Sequence, residues 1–353
     1  MTDVPVRPVK SEQLPATDEI TEVAPGILRT QLPSDLPGLG HVNMYVLEDE
    51  RGATVVDPGL PSKESWSAVR ARLGDIGIPL SRIHSVIVTH SHPDHYGGAA
   101  RLRAESGGDI ITHRLFRTFW DPSEPPDLSV EELATVMRSP FEPPPWGGPA
   151  MHMPWSRRAR LAMASRLPRV VQMRVPRPTV RLRDTDRARF ARREWVAVHT
   201  PGHTEDHLCL FDPEGGVLIS GDHVLPTITP HISGLTAHGD PLTLFFESLD
   251  KVGAFAPEVT IALPAHGTPF SNVGERVTAI KHHHEDRLQK IRDTSVDFDD
   301  WSNVTEFARH LFSPRAQGSM ADSETYAHLE HLRLLGEFEQ RERDGRFEYV
   351  IKG

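Results

Sequence analysis

The sequence predicts a layered α/β protein in which helices cover the outer faces of β-sheets. Three observations predict it. Short β-branched runs alternate with helical stretches from residue 20 to residue 112. Several of these runs are almost wholly apolar, as at Val86, Ile87 and Val88, which marks buried strands. Four apolar strands each end in a His or Asp within a Gly- or Pro-containing turn, at His90, His203, Asp222 and His266. Strands of one layered structure that finish at one edge can converge those side chains.

In chain order, residues 1–18 are polar, punctuated by proline and expected to be a loose tail. A first strand is expected over 20–32 and a hairpin over 41–47 and 53–56, turning at Arg51 and Gly52. Asp57, Pro58 and Gly59 stop that strand. Ser62, with Glu64 in the first turn, starts a helix running to about residue 73. A strand over 83–89, a helix over 97–106 and a strand over 109–112 follow. The pattern then breaks. Residues 113–178 are dense in proline, with Phe116, Trp120, Trp146, Met151 and Trp155 among them and helices expected at 128–138 and 157–166. A disordered linker rarely carries this many tryptophans, so the stretch is expected to be an ordered lid over the site, with Trp146 and Trp155 lining the pocket. Strands resume at 180–182, 194–198, 208–211, 217–219 and 259–263, with a helix over 242–255. Beyond residue 274 the chain is mainly helical and charged, with helices at 280–292, 304–312 and 323–341 and a short final strand. The expected division is a tail at 1–18, a catalytic domain at 19–274 carrying the 113–178 insertion, and a small C-terminal domain at 275–353.

Composition sets bounds on function. A chain of 353 residues buries a sizeable core, and a formal charge of −10 gives no support for non-specific nucleic-acid binding. Cys209 is the single cysteine, so no intrachain disulfide forms, which fits a cytoplasmic location. No signal peptide is visible, and no apolar run approaches the ~20 residues that span a bilayer.

The chemistry concentrates at residues 90–95. His90, His92, Asp94 and His95 fall within six positions, directly after a buried strand. Neutral imidazoles and carboxylates suit zinc, and equally iron or manganese. With His203, Asp222 and His266 they offer two metal sites and a carboxylate to bridge them. Two divalent ions about 3.5–4 Å apart can hold a hydroxide between them and polarise a carbonyl or phosphoryl oxygen.

This set of motifs, spread in order over residues 20–272, resembles the metallo-β-lactamase fold superfamily of metallohydrolases. The resemblance implies an αββα four-layer sandwich with the dinuclear site at one edge. It implies that His90, His92 and His203 hold one ion, that Asp94, His95 and His266 hold the other, and that Asp222 bridges. It further implies that Asp57 supports the site by orienting a ligand histidine, and that Asp94 orients the hydroxide as well as binding metal. An aspartate at 222, where β-lactamases of this fold commonly have cysteine or serine, is similar to the glyoxalase II and thioesterase-like branch. The region after residue 275 resembles the small helical, winged-helix-like domain of the lactamase-like protein 2 branch.

The remaining histidines carry less. His231 and His238 lie in the loop after Asp222 and are candidates for the pocket wall. His282, His283 and His284 are expected on a solvated helix face, because one helix cannot aim three consecutive side chains at one ion. Thirteen arginines between Arg157 and Arg193 would suit a phosphate-bearing substrate, or would serve as a solvated face. The acidic C-terminal region, with Glu324, Glu330, Glu337 and Glu339, counts against nucleic acid.

The function expected is a dinuclear metal-dependent hydrolase of a small-molecule thioester or ester, of acyl-CoA, acyl-glutathione or acyl-carrier-protein type. An endoribonuclease or phosphodiesterase of the same fold, and a non-catalytic metal-binding protein, are the alternatives.

Overall fold

A computed structural model describes residues 10–118, 142–148, 155–156, 176–236, 239–298 and 300–352. The first sheet has seven strands in sequence order. They are β1 (Ile20–Ala24), β2 (Ile27–Pro33), β3 (His41–Asp49), β4 (Gly52–Val56), β5 (Ile83–Ile87), β6 (Asp109–His113) and β7 (Val180–Leu182). β1 to β4 pair antiparallel, and β4 to β7 pair parallel. The second sheet runs β12-β11-β10-β9-β8. Its strands are β8 (Arg187–Phe190), β9 (Arg193–His199), β10 (Leu208–Asp212), β11 (Val217–Gly221) and β12 (Ile261–Pro264).

The helices α1 (Lys63–Ile76), α2 (Pro93–Tyr96) and α3 (Ala99–Ser106) belong to the first half. The helices α4 (Pro241–Phe255), α5 (Val273–Val296), α6 (Val304–Leu311) and α7 (Ser319–Leu334) belong to the second. A three-stranded sheet of β13 (Ser302–Asn303), β14 (Phe338–Arg343) and β15 (Arg346–Ile351) closes the chain.

Period-2 alternation builds the layers. On β3, Tyr45 and Leu47 face the second sheet, where Trp195, Ala197, Leu210 and Ile219 meet them. Their neighbours Met44 and Val46 face the helices, against Val69 and Leu73 of α1 and Leu102 of α3. On β9 and β10, Val198, Cys209 and Phe211 face the other way, toward Phe245 and Leu249 of α4. These three apolar clusters are the interfaces of an αββα sandwich. The third also takes in Phe307, Leu329, Leu332 and Tyr349, so the C-terminal helical region packs on the same core.

Local chemistry sets the element ends. Ser62 caps α1 by accepting from Ser65 N, and Gly77 ends it at φ 83°. The β3–β4 turn needs Gly52, since a Cβ there would lie 1.9 Å from the Arg82 carbonyl oxygen. The single strand expected over 20–32 is a hairpin. Pro25 has no N–H to donate, and Gly26 turns the chain at φ 73°. The helix expected over 323–341 begins at Ser319 and stops at Leu334. Gly336, at φ 84°, ends the turn, and β14 and β15 follow as a hairpin. The helices expected at 128–138 and 157–166 lie outside the described residues.

Candidate metal centre

The site is built where strands end. β4 delivers Asp57, buried and held at φ 51°. β5 leads into Thr89, His90 and His92, and Pro93 opens α2, which carries Asp94 and His95 in a single turn. The glycines after α2 let it sit on the β4 turn, because a Cβ on Gly97 would lie 2.1 Å from Pro61 N. From the second sheet, β9 leads to His203, β11 ends beside Asp222, and β12 runs to His266.

His90, His92, His203 and Asp222 form one group of metal-competent atoms, and Asp94, His95 and His266 form a second. Hydrogen bonds on the far side of each ring set which nitrogen faces inward. The His203 Nδ1–H donates to the His231 carbonyl oxygen at 2.7 Å, so Nε2 presents its lone pair. The His266 Nδ1–H donates to the His41 carbonyl oxygen at 2.6 Å, with the same result. Asp57 Oδ2 accepts from His95 Nδ1 at 2.9 Å and from Thr89 Oγ1 at 2.8 Å. Because the Thr89 hydroxyl donates to Asp57, it accepts from His90 Nδ1 at 3.1 Å, which leaves His90 Nε2 as a lone pair. One buried carboxylate thereby orients a ring from each group.

Inside the first group, His92 Nδ1 lies 2.9 Å from His90 Nε2 and 3.1 Å from His203 Nε2. A single N–H on His92 can serve only one of two inward lone pairs. His95 Nε2 and His266 Nε2 of the second group, and Asp222 Oδ1 of the first, are buried without a hydrogen-bond partner. Converging lone pairs and orphaned acceptors fit divalent cations, which need deprotonated ligands. Asp222 stands between the groups. Its Oδ2 is 3.8 Å from His90 Nε2, 3.6 Å from His203 Nε2 and 3.5 Å from His95 Nε2. Its Oδ1 is 3.4 Å from His266 Nε2.

The electrostatics divide the same way. Burial, reinforced by neighbouring histidines, holds His90 and His92 well below the usual imidazole range, and burial lowers His203 too. These rings are neutral and ready to ligate. Burial acts against charge on His95 as well, but Asp94, Asp222 and Asp57 override it and push that ring well up. His266 is raised against burial chiefly by Asp222, and burial on Asp222 is overridden in turn by His266 and His95.

The structure brings Asp57, His90, His92, Asp94, His95, His203, Asp222 and His266 together. His231 is there through its carbonyl oxygen. His238 lies outside the described residues. Trp146 is buried against Tyr326, with ring centroids 5.2 Å apart, and beside Gly234. Trp155 is 82% exposed. Among the described arginines, Arg187 and Arg189 pair with Glu194, Arg192 with Glu50 and Arg193 with Asp212.

Sequence reasoning missed His207. Its Nε2 accepts from Asp222 N at 3.0 Å, so its Nδ1–H donates to Thr200 Oγ1 at 2.7 Å. It fixes the backbone of the central carboxylate. Asp206 was missed too: it accepts from Ser91 Oγ at 2.9 Å and ties the 203–207 turn to the His90 turn. The available signal was their place within four residues of His203. His284 is also not on a solvated face. It is fully buried, because the apolar stripe of Val277, Ile280, Leu288 and Ile291 on α5 passes through position 284.

The metallo-β-lactamase superfamily model matches residues 37–266, and the chain belongs to that superfamily. It is 26% identical over 241 residues to a hydroxyacylglutathione hydrolase of Albidiferax ferrireducens, covering 67% of each chain. It is 25% identical over 325 residues to an atrochrysone carboxyl ACP thioesterase of Passalora fulva, covering 90% of this chain and 72% of that one. A solved β-lactamase domain protein from Burkholderia ambifaria superposes with a TM-score of 0.72 at 26% identity, over 96% of this chain and 97% of that one. The fold and the His/Asp clusters together make this a metal-binding hydrolase of the superfamily. No helix among the described residues is long and apolar enough to cross a membrane.

Proposed function

We propose that the protein hydrolyses small acyl thioesters or esters at a two-metal centre. His90, His92 and His203 would hold one divalent ion, and Asp94, His95 and His266 the other, with Asp222 shared. When bound, such a pair supplies Lewis acidity and an activated water. The protein's part is to fix the ligand rings in orientation, which the contacts of Asp57, Thr89, His41 and His231 do, while burial keeps His90, His92 and His203 neutral. Asp94, 2% exposed beside His95 and His266, would orient a water as well as bind. A thiolate leaving group needs little proton assistance. Zinc is the cation proposed, although His and Asp ligands serve iron and manganese too.

The observation that carries this reading is the position of Asp222, within 3.8 Å of imidazole nitrogens from both groups. The hydrolase and thioesterase names of the two relatives support the acyl substrate. The test is a panel of acyl-CoA, acyl-glutathione and simple ester substrates with metal-loaded protein. Turnover that His92→Ala abolishes is expected. Turnover confined to single-stranded RNA, or none at all despite tight metal binding, would overturn the reading.

A further inference from the structure

Helix α7 presents an inward-facing polar stripe that the proposed chemistry does not use. Ser323, Glu324, His328 and His331 are all buried. Each meets a partner along the path from the loop after Asp222 to α4 and α5. Ser323 Oγ accepts from Gly234 N at 2.9 Å, and a Cβ on Gly234 would lie 2.6 Å from the Ser323 carbonyl oxygen. Glu324 Oε2 is 3.4 Å from His231 Nδ1, and Oε1 pairs with Arg287 of α5. His331 Nδ1 is 3.0 Å from Asp240, the residue that caps α4. The loop so held carries the His231 carbonyl that accepts from His203 Nδ1.

The same stripe contains three metal-competent side chains, His284, Glu324 and His328. Their bonding argues against a third cation. The His328 Nδ1–H donates to the Glu324 carbonyl oxygen at 2.7 Å, and its Nε2 accepts from His284 Nδ1 at 3.0 Å. Both Glu324 carboxylate oxygens are engaged, and the Arg287 guanidinium already neutralises the charge. A divalent ion there would place three positive charges against one buried carboxylate. Burial alone would raise the Glu324 carboxyl, but the His231 hydrogen bond and the Arg287 charge override it and hold it far below the carboxylate range. The cluster is a polar latch with a charged centre.

We infer that α7 is a positioning element of the metal centre: Glu324 and Ser323 hold the 231–234 stretch so that the His231 carbonyl fixes the ring of His203. Orientation of a ligand imidazole by its outer hydrogen bond is worth 10–100-fold in metal affinity when that bond is lost directly. Glu324 acts one step further out, through the loop. The inference rests on His203 being a ligand, not on the identity of the substrate.

The experiment is stepwise zinc titration of the full-length protein against a chromophoric chelator, resolving two dissociation constants. It is run for wild type, Glu324→Gln, Ser323→Ala, His203→Ala and the Glu324→Gln/His203→Ala double variant. Glu324→Gln is expected to weaken one ion by about 3–10-fold and leave the other within about 2-fold, with no such effect in the His203→Ala background. Ser323→Ala, a milder change, is expected to act on the same ion. Equal weakening of both ions, no weakening of either, or an undiminished effect in the His203→Ala background would overturn the inference. So would a third zinc equivalent in wild type that His328→Ala removes. If no acyl substrate turns over while the one-ion effect persists, the proposed substrate class fails and the inference stands.

Discussion

Asp57 Oδ2 accepts from His95 Nδ1 at 2.9 Å, and the same oxygen accepts from the Thr89 hydroxyl that in turn orients His90. Its other oxygen accepts from Thr89 N at 2.9 Å. Asp57 therefore orients a ring from each group without belonging to either. In Asp57→Asn, an amide can no longer accept at both oxygens. Both metal affinities are expected to fall by about 10–100-fold, as outer-partner losses do. Chelator titration measures this. A loss confined to one ion would show that the Thr89 relay to His90 carries no weight.

His207 holds Asp222 from behind, through its backbone N–H. Burial, with His223 and His203 nearby, keeps the ring neutral, as an acceptor at Nε2 requires. His207→Ala leaves a buried donor unpaired, a cost of about 1–3 kcal/mol. The expected result is a lowered melting temperature with loss of activity. His207→Gln, which can place a carbonyl oxygen there, is expected to recover part of both. Full activity in His207→Ala would contradict the role.

Asp206 gives a pH test. Burial pushes its carboxyl up to about 6, against the hydrogen bond from Ser91. The folded pKa lies above the unfolded value, so this contribution to stability is fully present below the unfolded pKa of about 3.9 and is lost as pH rises through about 6. Asp206→Asn keeps an oxygen for Ser91 and removes the ionisation. In metal-free protein it is expected to be more stable than wild type at pH 8, by an amount on the order of 2–3 kcal/mol, and equal to it near pH 4. Thermal melts at both pH values check this. A gain that is the same at both would assign the effect to packing.

The fold could be read from the sequence wherever one local pattern sufficed. β5 runs into the apolar stretch 86–88 and β11 opens on the apolar stretch 217–219, and the candidate ligands follow within a few residues, so strand and candidate site were visible together. α5 was seen, but the stripe that buries His284 passes through three consecutive histidines and was hidden by their polarity. β8 was missed because Arg187 and Arg189 alternate with little apolar content on an edge strand. The contacts that set ring orientation were out of reach for another reason. His41 and His266 are 225 residues apart, and His231 and Glu324 are 93 apart. These are tertiary encounters with no local signature. The Asp57 contact was anticipated through family resemblance, whereas the contacts of the His231 carbonyl and of Glu324 were not.

Trp195 tests the inter-sheet layer. It is fully buried, stacks on Phe190 with centroids 5.4 Å apart, and donates from Nε1 to the Phe190 carbonyl oxygen at 3.2 Å. Trp195→Ala is expected to cost about 3–5 kcal/mol, the range for large aromatic truncations in cores. Denaturant unfolding measures it. A cost under about 1 kcal/mol would mean that the two sheets pack less closely than described.

The proposed centre consists of two metal sites sharing Asp222. The most direct measurement is the metal content of reconstituted protein by mass spectrometry, taken with thioesterase rate on the same samples. Wild type is predicted to hold two ions per chain. His266→Ala is predicted to retain one ion and lose activity. Asp222→Ala is predicted to weaken both ions. A single ion in wild type, or full activity in His266→Ala with one ion bound, would contradict the two-metal centre.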